Sequence, residues 1–282
     1  MNGKPLISVI VAVRNGEATL DRCLRSIAAQ TYPGREAIVI DGASTDGTVA
    51  VIARHAQSLA HWRSEPDQGI ADAWNKGIAA ARGEWICFLG ADDFLWRPDT
   101  LEKAAGQLVR IDPGIKVAYG RVVLVTGDGV ELGTFGEPWE RAGPLFRELV
   151  SFPHQGTFHR RSLFDERGLF DLAFRLGPDY ELLLRELKQG AAIFLPEPVI
   201  AGMGYGGLTS SPHNALRGLW DIRRAQKKNG IPRPGPRWLL SVVKALGRSA
   251  VFRLLGRRLG AEVVDLTRRA SGKDRFWTRI QP

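Results

Sequence analysis

The chain has 282 residues, 44% of them hydrophobic and 24% charged, which is an ordinary soluble globular composition with material for one large α/β domain and a tail. Of its 39 basic and 30 acidic residues, residues 1–230 hold 27 of each, while residues 231–282 hold 12 basic against 3 acidic. A neutral body carrying a basic appendix argues against a nucleic-acid-binding core, whose basic face would belong to the folded domain itself.

Cys23 and Cys87 have no His or Cys at ligand spacing and read as buried apolar residues of a reducing compartment. The first apolar run, Leu6 to Val13, ends in Arg-Asn-Gly without a small-residue cleavage site, so it reads as a strand and not a signal peptide. No apolar stretch reaches the ~20 residues of a membrane span. The expected location is the cytoplasm.

In chain order, "LISVIVAV" is a continuous β-branched run expected of a strand covered on both faces. "GEATLDRCLRSIAAQ" sets Leu20, Cys23, Leu24 and Ile27 at helical spacing. "EAIVIDG" predicts a strand, "TDGTVAVIARHA" and "QGIADAWNKGIAAARG" predict helices, and "EWICFLG" a further strand. Pro98 opens the helix "TLEKAAGQLVR", with Asp99 near its N-terminus, and "KVAYGRVVLVT", "GDG" and "VELGTF" form a hairpin. Beyond it come a short helix near 144–150, a strand in "QGTFHR", a helix in "PDYELLLRELKQG" and the apolar stretch "AAIFLPEPVIAGM". The alternation implies an α/β, Rossmann-like architecture: a mostly parallel central sheet with helices on both faces. The linker "NGIPRPGPR" separates a domain over 1–230 from a basic helical extension over 231–282.

Ligands of such sheets bind beyond the carboxyl ends of the strands. Asp41 ends one strand, and Asp92 and Asp93 end "EWICFLG", so a parallel sheet raises three carboxylates at one rim. Adjacent carboxylates ionise together only beside a cation or strong donors. Hard oxygen ligands in a loop suit Mg²⁺ or Mn²⁺ shared with phosphate oxygens. A solvated turn before a helix is the plain alternative for the pair. Neither G-x-G-x-x-G after the first strand nor G-x-x-x-x-G-K-[ST] occurs, which excludes the commonest dehydrogenase and NTPase signatures.

Taken in order, "SVIVAVRNGEATLDRCLRSIAAQTYP", "IVIDGASTDGT", "SEPDQGIADAWNKGI", "ARGEWICFLGADDFLWRPDTL", "HQGTFHRRSLFDERGLFD" and "GPDYELLLRE" resemble the family 2 glycosyltransferases, especially bacterial enzymes of exopolysaccharide and O-antigen assembly. The resemblance covers roughly residues 6–228. It implies the single-domain GT-A fold, a nucleotide-sugar donor, a divalent metal and transfer with inversion to a glycan or polyprenyl-linked acceptor. Ala12, Val13, Arg14 and Asn15 would border base and ribose, and Asp41 would accept a hydrogen bond from the base, the N3–H of uracil being favoured. Asp67 is either a polar nucleotide loop residue or a helix cap, and Lys76 either a phosphate partner or a solvated lysine. Of Asp92 and Asp93 one would touch ribose and one the metal, with Asp93 favoured as direct ligand. Where many members read Asp-x-Asp-Asp, this chain has Gly90 in the leading position, and Pro178 replaces the Glu of the family's Glu-Asp signature. Asp179 would be the general base, with a helix N-cap as its alternative. His154 and Gln155 resemble the acceptor-side segment. The glycine-dense stretch 202–210 is a candidate loop over the diphosphate or a simple turn, and Trp74, Trp96 and Trp139 are sugar-stacking or packing residues.

In the tail, Leu239, Val242, Val243, Leu246, Ala250 and Leu254 gather on one helical face, with Arg237, Ser241, Lys244 and Arg248 opposite, while Arg253 and Arg257 break the apolar arc and make the amphipathicity partial. Residues 236–258 are therefore expected either to lie on the anionic cytoplasmic face of the inner membrane or to pack on the body or a second subunit. Rival functions are a sugar-phosphate nucleotidyltransferase, whose G-x-G-T-R-x-x-P motif the segment "VAVRNGEATL" does not match, and a catalytically degenerate glycan-binding or scaffolding module.

Overall fold

The computed structural model describes residues 3–206, 212–270, 272 and 275–279. Its strands are β1 (Ile7–Val13), β2 (Arg35–Asp41), β3 (His61–Ser64), β4 (Trp85–Gly90), β5 (Phe94–Leu95), β6 (Val117–Val125), β7 (Glu131–Phe135), β8 (Thr157–Arg160) and β9 (Ile193–Gly204). Its helices are α1 (Leu20–Ala28), α2 (Thr48–His55), α3 (Ile70–Ala80), α4 (Thr100–Leu108), α5 (Trp139–Phe146), α6 (Arg161–Arg167), α7 (Pro178–Leu187), α8 (Pro212–Lys228) and α9 (Pro236–Ala270).

Among the described residues the strands form one sheet in the order β3-β2-β1-β4-β8-β6-β9-β5, with β7 hairpinned onto β6. The half from β3 to β4 is wholly parallel, as the strand-helix alternation predicts. The other half is mixed, because β8 runs antiparallel between β4 and β6 and β5 runs antiparallel to β9. The short β3 has no counterpart in the sequence reading. All four of its residues are exposed, so this edge strand carries no apolar pattern.

Side chains of period two divide the core. Val9, Val11, Val39, Cys87 and Leu89 pack on one face with α1, α2 and α4. Ile10, Ile38, Ile40, Ile86 and Phe88 pack on the other with α3, α7 and Ala225 of α8. This two-sided burial explains why β1 is apolar throughout. Cys23 and Cys87 are both free and buried.

The amino ends of the parallel strands are pinned by one buried acid. The Glu36 carboxylate accepts hydrogen bonds from Ser8 Oγ (2.6 Å), the Arg82 N–H (2.6 Å) and the Gly83 N–H (3.2 Å). Burial pushes its carboxyl up, but these donors and the Arg82 guanidinium outweigh it, so the net direction is down. A depressed folded value means stability that is present above the unfolded carboxylate range and is lost as pH falls through the folded value. We expect Glu36→Ala to lower unfolding free energy by about 2–3 kcal/mol at neutral pH, since it leaves buried donors unmatched, and to flatten the acid limb of a urea-denaturation series.

The tail begins where Arg223 donates to Ile231 O (2.9 Å), and Trp238 Nε1–H to Leu219 O (2.8 Å), fastening α9 to α8. Gly256, at φ 73°, breaks α9 into two helical segments. Asp265 then gathers the N–H groups of Phe276, Trp277 and Thr278 at 2.8–3.0 Å, so the chain folds back. Phe276 meets Tyr205, the residue after β9, at a ring-centre distance of 5.5 Å. Among the described residues no helix is long and apolar enough to cross a membrane. Residues 207–210 of the expected glycine-dense loop lie outside the described residues, while Gly202 to Gly204 form the end of β9.

Candidate active site

The parallel strands deliver their ends to one rim. Ala12 pairs with both Ile40 and Gly90, and Val13 with Asp41, so the turn Arg14–Asn15, Asp41 and the segment after Gly90 begin at one level. β8 runs the opposite way, which brings the 3₁₀ turn His154–Gly156 at its start to this same rim. β9 runs parallel to β6 and delivers Gly204 there.

Three of these elements converge on Asp93. Its carboxylate accepts the Gly90 N–H at 2.8 Å through Oδ2, the Gly204 N–H at 3.1 Å through Oδ1, and a hydrogen bond from the Gln155 side chain. Asp93 is only 2% exposed, and burial, reinforced by the adjacent Asp92 carboxylate, pushes it up to about 7 against those donors. Asp92 stays partly open to solvent. Its carbonyl accepts a 2.7 Å hydrogen bond from Arg22, whose guanidinium also lies over the Phe94 ring. The departure at Gly90 has a steric reason here. A Cβ there would come within 2.7 Å of Asp92 Oδ1 and 2.9 Å of Asp93 Oδ2, so the turn closes around both carboxylates only without a side chain. Gly204 is similarly tight, its would-be Cβ lying 2.8 Å from Asp92 O.

Asp41 reaches the rim but faces inward. It is fully buried, and its carboxylate accepts Ser44 N–H at 3.1 Å, Ser64 Oγ at 2.6 Å and Ser44 Oγ. Ala43 between them holds φ 54°, a left-handed conformation costing a residue with a Cβ about 1 kcal/mol. Asn15 adopts φ 53°, which asparagine tolerates better. Its N–H donates to Ser44 Oγ (2.7 Å) and its Oδ1 accepts the Thr45 N–H (2.9 Å), sewing the first rim turn to the second. Arg14 is exposed beside it. Asp67 caps its own turn by accepting the Gly69 N–H at 2.8 Å, and it leans over Gly42, where a Cβ would be 2.3 Å from Oδ2. Lys76 is already engaged by Glu65 and Asp72, each at 3.1 Å, and by Pro66 O at 3.0 Å. It braces the loop before α3.

His154 points away from the rim into an aromatic cluster, 4.8 Å from Trp74 and 5.3 Å from Phe88 between ring centres. Burial alone drives its pKa down to about 3, so it is a neutral packing residue in this arrangement. Trp74 belongs to the same cluster, Trp139 packs near Phe146 and Phe152, and Trp96 stacks on Phe94.

Asp179 comes from a different element. Pro178 occupies the first turn of α7, where its missing N–H costs nothing. Leu182, Leu183 and Leu187 bury one side of the helix, and Tyr180 Oη donates to Phe146 O at 2.9 Å. α7 ends at Leu187, shortly before β9 starts at Ile193 on the amino side of the sheet, so its N-terminus lies toward the carboxyl rim. Desolvation pushes the Asp179 carboxyl up to about 6, offset in part by the helix N–H groups of Tyr180 and of Asp179 itself. A carboxylate tuned close to neutrality in this way suits proton abstraction near neutral pH.

Residues 8–159 match the family described as Glycosyl transferase family 2. The chain belongs to that family. It is 32% identical over 212 residues to a PGL/p-HBAD biosynthesis glycosyltransferase of Mycobacterium bovis, covering 73% of this chain and 80% of that one. Among solved structures it resembles the mannosyltransferase PcManGT of Pyrobaculum calidifontis in complex with GDP-Man and Mn²⁺ (TM-score 0.64, 20% identity, 98% of this chain and 84% of that one). It also resembles residues 1–349 of S. aureus TarS in complex with UDP (TM-score 0.59, 20% identity, 86% and 71%). These likenesses establish the GT-A fold.

Among the described residues no group of three or more His, Cys, Asp or Glu gathers to hold an ion. The Asp92 and Asp93 oxygens nevertheless fit Mg²⁺ or Mn²⁺ chemically: they are hard donors, one of them accessible, in a segment where like charges repel. Arg22, Ser44, Ser64 and Gly204 are rim residues that the sequence reading did not single out. Arg22, Ser44 and Ser64 lie within the segments that carry the family resemblance and Gly204 within the glycine-dense stretch 202–210, but none had a role of its own there, because a hydroxyl, a guanidinium or a backbone N–H gains one only from its partners in space.

Proposed function

We propose that this family 2 glycosyltransferase transfers one sugar, with inversion, from a nucleoside-diphosphate sugar to a hydroxyl of a cell-surface glycan or polyprenyl-linked glycan, at the cytoplasmic side of the membrane. The observation that carries the reading is the open Asp92 carboxylate at the rim, set beside an Asp93 fixed by three other segments.

In this reading Asp92, rather than the enclosed Asp93, is the direct ligand of Mg²⁺ or Mn²⁺, and Asp93 is the post that shapes the turn. A bound divalent ion supplies charge neutralisation for the departing diphosphate. The turn Ala12 to Asn15 and the Asp67 loop border the nucleotide. Asp41 acts through Ser44 and Ser64, holding the wall of the base pocket. Asp179 takes the proton of the acceptor hydroxyl as its oxygen bonds to the anomeric carbon. The bond from that carbon to the phosphate oxygen breaks, and the electron pair leaves with the nucleoside diphosphate. One base suffices for inversion, because the leaving group departs without a proton.

The UDP and GDP-Man complexes of the two structural neighbours make uridine and guanosine diphosphates the first donors to test. Incubation with UDP- and GDP-sugars plus Mn²⁺ should release free nucleoside diphosphate. Release of pyrophosphate instead would support a nucleotidyltransferase. No turnover of any nucleotide sugar, with no binding of the diphosphates, would leave a glycan-binding or scaffolding module as the better reading.

A further inference from the structure

The apolar face of α9 points away from the body. Leu239, Val243, Leu246, Ala250 and Leu254 fall within roughly a third of the helix circumference at 100° per residue, and all five are exposed, Val243 at 65% and Leu254 at 81%. The residues that face the protein are others: Trp238 and Ala245 are each 5% exposed. An amphipathic helix normally turns its leucines inward, so this segment is mounted the other way round. Exposed Lys244 and Arg253 flank the stripe. Beyond the break at Gly256, Leu259 and Leu266 are exposed at 57% and 61%, with Arg258 exposed just before the first, Glu262 between them and Arg269 beyond the second. Contiguous apolar surface of this kind marks an interaction site.

We infer that α9 is a membrane-surface anchor, whose leucines enter the interface of an anionic bilayer while the flanking basic side chains meet lipid phosphates. Charge selects this occupant. The whole surplus of positive charge lies in residues 231–282, and a bilayer of anionic lipid complements it. A second copy of the chain would bring an equally basic helix, and the two would repel. No described helix can span a bilayer, so the contact lies in the plane of the interface. The inference does not depend on the chemistry assigned to Asp92 or Asp179.

Sedimentation of the full chain with vesicles tests it. Binding is expected to phosphatidylcholine vesicles that contain phosphatidylglycerol, to weaken with added salt, and to be at least tenfold poorer on phosphatidylcholine alone. Leu246→Glu/Leu254→Glu, at exposed positions that leave the fold's contacts alone, should abolish binding with the melting temperature and nucleotide-sugar hydrolysis unchanged. Lys244→Gln should weaken it about fivefold. Absence of binding to anionic vesicles would overturn the anchor, as would unchanged binding by the double glutamate variant. Light scattering that shows a dimer, converted to monomer by that variant, would assign the face to self-association instead.

Discussion

Replacing Asp179 by Asn is expected to lower the rate of sugar transfer by 10²–10⁴, the usual range for removing a general base, while leaving the protein more stable at pH 8. The two effects have one cause. Burial holds the Asp179 carboxyl up to about 6, above the ordinary carboxylate range, so ionising it costs the folded state free energy. With a raised folded value, the group's favourable contribution is complete below the unfolded carboxylate range and is lost as pH rises through about 6. A neutral amide avoids that loss, and a gain of up to ~2 kcal/mol in urea unfolding at pH 8 should result. A residue that served only to cap α7 would behave oppositely, since losing its negative charge at a helix N-terminus lowers stability. The activity of the unmodified enzyme should rise with pH through about 6, because only the ionised carboxylate accepts a proton. An Asn variant that transfers sugar normally, or a rate independent of pH across that interval, would remove Asp179 from the chemistry.

The second large effect separates the neighbouring acids. Asp92→Asn should abolish the Mn²⁺-dependent part of the thermal stabilisation given by UDP or GDP, and reduce kcat/KM by about 10³, at nearly unchanged melting temperature without ligand. Stabilisation by a ligand follows RT ln(1 + [L]/Kd), so loss of the metal contact appears directly in the shift. Asp93→Ala should instead lower the melting temperature of the free protein, since it strands the partly buried N–H groups of Gly90 and Gly204. The opposite pattern, with ligand-dependent stabilisation lost only at Asp93, would return the metal to the buried acid.

The sequence by itself determined β1, β2 and β4 of the parallel half of the sheet, because strands covered on both faces must be apolar throughout, as "LISVIVAV" and "EWICFLG" are, and the helices between them carry a 3.6-residue stripe. It also placed Asp41 and the Asp92–Asp93 pair at strand ends, hence on one rim. Only the tertiary structure decided which carboxylate stays open. Asp92 and Asp93 are adjacent and identical in type, and their difference is made by donors from Gly204, 111 residues away, and from Gln155. The same holds for Asp41, whose inward turn depends on Ser64 of an exposed edge strand that has no sequence pattern. His154 lies near the rim in sequence and register, yet packing with Trp74 and Phe88 takes its ring into the core. The tail divides in the same way. Helical spacing predicts that α9 is amphipathic, but the side it presents to solvent is set by which residues dock on α8, and that is a property of the assembled fold. Local pattern fixes the elements because it is written in neighbouring residues, whereas accessibility and charge state are fixed by contacts between residues far apart in the chain.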